Sequence, residues 1–239
     1  MTDMDRDRTA KAAPAPAGES LDARFVREVL RINDRYTREI VEGFDVCPFA
    51  RSGRQSGRTA REVLLQRDND PGPCVDTIER LESGREDLEV VQVIFPRLQV
   101  DPTGLERFNA AVIEGRARRP GKPLFVHATF HPDYPCDPRS PDSLVAFFRR
   151  SPDPMIQLVR FAVIQAVRRH EDHGTQLFDP ARLARGELPE ERPLPVPDRI
   201  ARDNHARILR DGPEVLQRIY DSIRAERREA YAAFEEATD

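Results

Sequence analysis

Apolar residues recur at three- and four-residue spacing after Ser20: Phe25, Val29, Ile32, Tyr36 and Ile40 fall on one side of a helix. Ser20 is a good N-cap, and Gly43 is expected to end the helix in the left-handed region. Pro48 suits the first position of a second helix, which puts Cys47 at its N-cap. Three strand candidates follow at residues 62–66, 88–95 and 124–130. Helical spacing separates them, first around Val75, Ile78 and Leu81, then at Leu105, Phe108 and Val112. Asp101 and Pro102 form a cap and first position for the second of these helices. Strand–helix alternation predicts an α/β fold: a small three-layer domain with a short, mostly parallel sheet of about three strands flanked by helices. The nearly continuous apolar run at 88–95 is expected to be its central strand.

Asp153-Pro154 repeats the cap pattern and predicts a helix over 155–169, apolar almost all round and so packed on the sheet. Prolines cluster at 186–197, a linker-like insert. Beyond it, residues 198–239 form a charged helical extension, with Leu216, Ile219 and Ile223 on an apolar stripe that packs on the core or on a partner. Its turns after Ile223, where charges outnumber apolar residues, are expected to project into solvent. Residues 1–19, Ala/Pro-rich with nothing to bury, are expected to be a disordered tail. The core domain is then 20–185.

Composition narrows the classes. The 239 residues are 38% hydrophobic and 33% charged, with a net charge of −4 and only two lysines, Lys11 and Lys122. Arginines alternate with acids, so the one-sided basic face of a nucleic-acid binder is missing. No run approaches the roughly 20 apolar residues of a membrane helix, and the N-terminus lacks the apolar stretch of a secretory signal. Cysteines at 47, 74 and 136 make no paired framework, which fits a reduced, cytosolic protein.

Tyr36 followed by Cys47-Pro48-Phe49-Ala50, the run His127 to Tyr134, the run Phe148 to Arg160, and Ile200 through Asn204 to Leu209 together resemble an uncharacterised bacterial family, catalogued as domain of unknown function 1415. The resemblance implies a small α/β domain and assigns no activity or cofactor. Many members are expected to carry a histidine where Gln157 stands here.

Candidate chemistry gathers at two places. Cys47, beside helix N–H groups and nearby arginines, has the setting of a reactive thiolate and equally that of a small buried corner residue. At the carboxyl end of the third strand, His131, Asp133 and Tyr134 share one loop, on the edge where open sheets bind ligands. His131 is the candidate acid/base, with Asp133 orienting it; the alternative is a rigid proline-rich turn. Arg149, Arg150 and Arg160 are candidate substrate clamps, Tyr134 with them. Arg160, on an apolar segment, is expected to be buried and paired. His127 and His131, about 13 Å apart along a strand, cannot share one metal ion. His127 reads as a hydrogen-bonded core residue. His170 and His173 read as solvent-facing, and no metal site is expected. No phosphate loop, dinucleotide fingerprint, nucleophile elbow or zinc-peptidase motif occurs.

Two classes of function remain. One is a cytosolic enzyme acting on a small anionic molecule, with Cys47, His131 and Asp133 catalytic. The other is a non-catalytic ligand- or partner-binding module with a structural Cys47, whose C-terminal helix engages a partner or a second copy.

Overall fold

A computed structural model describes residues 19–44, 50–135, 147–165 and 213–235. Helix α1 (Leu21–Tyr36) starts as its sequence demands: the Ser20 hydroxyl accepts the Ala23 N–H at 3.2 Å. It continues through π-helical turns, Thr37–Glu42. Gly43 then sits at φ −65°, not in the expected left-handed region. Glycine is needed there because a Cβ would stand 2.4 Å from the Glu39 carbonyl oxygen. Then come α2 (Ala50–Gln55), β1 (Thr59–Val63), α3 (Gly72–Gly84), β2 (Val90–Ile94), α4 (Pro102–Ala117), β3 (Phe125–Phe130), β4 (Met155–Arg160) and α5 (Pro213–Glu235). Asp101 caps α4 by accepting the Gly104 N–H at 2.6 Å, with Pro102 in the first turn.

The architecture is α/β, with a four-stranded sheet in the order β1-β2-β4-β3. Only β1 and β2 pair in parallel; β4 runs antiparallel to both β2 and β3. The sheet is therefore mixed rather than mostly parallel. The three expected strands do all point the same way, since β2 and β3 each oppose β4. The fourth strand is the segment expected to begin a buried helix. Wedged between two neighbours, Ile156 faces Val93 on one side and Thr129 on the other. A strand covered on both faces needs apolar residues at every position, which a helical reading cannot distinguish over so short a run.

Helices cover both faces. Val91, Val93, Ile156 and Leu158 join α3 and α4 residues in one buried cluster. On the other face, Ile94 and Met155 meet α1, α5, Phe147 and Phe148 in a second. Each fully buried Leu, Ile or Phe contributes about 1.5–3 kcal/mol. Helix α5 packs back along α1 through Leu216, Tyr220 and Ile223. Its last turns do not project into solvent: Tyr231 and Phe234 meet Phe25, with ring centroids 4.8 and 5.2 Å away.

Candidate functional site

Because β1, β2 and β3 share one direction, their carboxyl ends lie along one edge of the sheet, where β4 begins. Chain leaving β2 and β3 there, chain entering β4, and one face of α5 enclose a cleft of about 230 Å³. Prolines at 96, 132, 152 and 154 stiffen its walls, and Arg224, Arg227 and Arg228 project into it from α5.

His131 lies at this cleft and is 2% exposed. Its Nε2 lies 2.9 Å from the Val100 carbonyl, which can only accept. Its Nδ1 receives the Asp133 backbone N–H at 3.0 Å. Those two bonds fix the neutral tautomer that carries its proton on Nε2, since a proton on Nδ1 would oppose another N–H. The ring ties the loop after β3 to the loop after β2. The Asp133 carboxylate points elsewhere, to Arg224 at 3.1 Å, and is 61% exposed. Asp133 thus orients His131 through its backbone N–H, while its side chain faces α5.

Other expected site residues divide between this edge and the rest of the molecule. Arg150 stacks over Tyr220 and Phe147, at 4.3 and 5.2 Å, and donates to the Pro132 carbonyl. It joins the β3–β4 loop to α5. Arg149 is exposed, and its carbonyl accepts the His131 N–H. The Tyr134 hydroxyl lies 2.6 Å from Thr129 Oγ1 and 3.3 Å from Glu106, and burial raises its pKa. Arg160 sits at the far end of β4, about 17 Å from Met155 at strand rise. There it is half-buried rather than buried, stacks on Phe125 and donates to the carbonyls of Leu88 and Arg85, so its hydrogen bonds among the described residues go to backbone groups.

His127 donates from Nδ1 to Asn109 Oδ1, 2.9 Å away, and burial pushes its pKa down to about 4. Cys74 lies inside the first turns of α3, wholly buried, and its thiol is pushed up to about 12 by burial. Cys47, Cys136, His170, His173 and His205 lie outside the described residues. Five residues before Cys47 in sequence, Glu42 accepts from Arg54 at 2.7 and 2.8 Å and is held below the usual carboxylate range by that pair. Among the described residues no cluster of three or more His, Cys, Asp or Glu could hold a metal ion.

The family model described as Protein of unknown function (DUF1415) matches residues 28–179, well over half of the chain. The chain belongs to this family. Comparison with curated proteins and with solved structures gave no match. In this DUF1415 protein the match covers the sheet, His131, Asp133 and Asp153, and ends before α5. One wall of the cleft thus lies inside the family match and the arginine-bearing wall outside it. No helix among the described residues is long and apolar enough to cross a membrane.

The arginines of α5 and the role of Asp153 are what sequence reasoning missed. Asp153 does not cap a helix. It is 2% exposed and accepts from Arg227 at 2.7 Å and from the Tyr231 hydroxyl at 2.8 Å. Burial raises its carboxyl, against the pull of Arg227 and Tyr231. A signal was present: Arg224, Arg227 and Arg228 stand at i, i+3 and i+4, one face of a helix.

Proposed function

We propose that this protein binds a small anionic molecule in the cleft between the carboxyl edge of the sheet and α5. One observation carries the reading: three arginines from one helix face enter the same cleft, and they are not equally compensated. Arg227 is held by buried Asp153 and Arg224 by exposed Asp133. Arg228 has no hydrogen-bond or ion-pair partner among the described residues. Like charges at i and i+4 repel, and an anion shared by Arg224 and Arg228 relieves that repulsion while using the guanidinium fork. A bacterial cytosol is the setting of this reading, supported by three cysteines without paired spacing.

Binding is favoured over catalysis by the state of His131. Both of its ring nitrogens are engaged, so its role in this reading is to hold two loops at the cleft. The second reading, an enzyme whose nucleophile is Cys47, draws on Arg51 and Arg54, which meet Glu42 on either side of the cysteine in sequence. Titrating inorganic phosphate into the full chain, followed by amide NMR, tests the first reading. Saturable shifts centred on residues 98–100, 131–133 and 224–228 are expected, and their loss in Arg228→Met. Shifts elsewhere only, or none, would sink it. Iodoacetamide labelling of Cys47 against pH tests the second: labelling no faster than Cys74 returns it to a structural role.

A further inference from the structure

We infer that the Asp133 carboxylate is an internal competitor for the ligand of this cleft, whose two available arginines, Arg224 and Arg228, favour small dianions, phosphate monoesters or sulfate-like groups, over monocarboxylates. The inference rests on the anion-binding reading above. Each cleft arginine has a different freedom. Arg227 is committed: Nε and Nη2 both lie 2.7 Å from Asp153 Oδ1, and Nη2 also reaches the Pro96 carbonyl at 3.4 Å. Arg228 is uncommitted. Arg224 is in between, because its partner Asp133 sits on the rim with most of its side chain in water.

An exposed ion pair of this kind is weak, so an incoming anion can take Arg224 from Asp133 at small cost. The exchange has an electrostatic consequence. A displaced Asp133 stays on the loop beside the ligand, since its backbone N–H remains bound to His131 Nδ1. Only a ligand carrying enough charge to satisfy Arg224 and Arg228 together replaces what it removes. A monoanion gains one strong contact and loses the Asp133–Arg224 pair; a dianion engages both arginines at once. Asp133 therefore lowers the affinity of the cleft for any anion that takes Arg224, and the loop bond to His131 is what keeps it in range.

Asp133→Asn separates this from the orienting role expected of the residue. It keeps the backbone N–H that holds His131 and removes the competing charge. Isothermal titration of the full chain with inorganic phosphate, sulfate and acetate reads the outcome, with melting temperature as the check on folding. Phosphate and sulfate are expected to bind the variant up to roughly five-fold more tightly than the wild type, the scale of an exposed pair. Acetate is expected to gain no more than the dianions, because the charge removed from beside the ligand repels a dianion more strongly than a monoanion. Asp133→Ser, which also lacks the charge, should repeat both results. Unchanged or weaker phosphate binding in both variants, with binding intact in the wild type, overturns the competitor role and leaves the cleft standing. Absence of phosphate and sulfate binding to wild type and variants alike overturns the anion cleft and this inference with it.

Discussion

The two faces of the sheet are held down by different chemistry. Under α3 and α4 the contact is mainly apolar, with Val91, Val93, Ile156 and Leu158 against Ile78, Leu105 and Val112, the His127–Asn109 hydrogen bond to α4, and a buried ion pair, Glu82–Arg116, at its border. Under α1 and α5 the apolar cluster is interrupted by polar ties. Gln92 and Gln157 meet across the two central strands. Glu226 on α5 takes Arg31 and Arg35 of α1. The Tyr220 hydroxyl donates to the carbonyls of Pro132 and Ser151, and Asp153 holds Arg227 and Tyr231. Apolar contact fills space without fixing a register, whereas these bonds require particular groups at a set distance and angle. The face that carries the cleft is the keyed one. Its geometry is set by α5 and by the loops that α5 grips.

Breaking the key should show this most strongly. Asp153→Asn leaves Arg227 largely buried without its counter-charge, at an expected loss of about 3–5 kcal/mol. Since burial works against the carboxylate as well, the intact pair itself adds little; the loss comes from the uncompensated partner. Chemical denaturation measures the loss, and limited proteolysis should find cleavage within 213–235 before the sheet opens. Cleavage that begins in α3 or α4 would mean α5 is not held by this contact.

On the opposite face, Leu158→Ala should destabilise by about 2–5 kcal/mol through the cavity it leaves, and leave phosphate affinity unchanged. A concurrent fall in affinity would show the two faces to be coupled through β4.

The pH dependence comes next in size. His127 is neutral in the fold, with a pKa of about 4 against 6.5 for the free side chain. A depressed folded pKa means the stabilising contribution is complete above 6.5 and is lost as pH falls towards 4, at most roughly 3 kcal/mol. His127→Gln should flatten the melting profile across that window. An unchanged slope would assign the acid lability to other groups, such as Glu42 and Glu226, whose pKa values are lowered by their arginines. Smallest of all, Arg228→Met should change stability by no more than about 0.5 kcal/mol while removing anion binding, because it touches only the cleft.

Much of the fold is written locally and some of it is not. The caps at Ser20 and Asp101, the α1 stripe and the direction of the first three strands follow from nearest-neighbour patterns. So does the carboxyl-edge placement of His131. The run Met155-Ile156-Gln157-Leu158-Val159-Arg160 resists such reading because its environment is set by strands 25 or more residues away. Asp153-Pro154 misled for a related reason: an aspartate before proline is a good helix cap in isolation, but here its oxygens are claimed by Arg227 and Tyr231. The arginines of α5 were visible as a helix face, yet their significance depends on which loops that face meets.

The pairing of α1 with α5 also has a consequence in time. Arg31 and Glu226 are 195 residues apart, and Phe25 finds its aromatic neighbours only in the last turns of α5. At roughly 5–20 residues per second, a ribosome leaves that stripe of Phe25, Val29, Ile32 and Tyr36 without its final cover for roughly ten to forty seconds. β1 and β2 can pair during that interval; the keyed face cannot. A nascent chain stalled before Pro213 would therefore leave the apolar stripe of its first helix without the cover that α5 gives it.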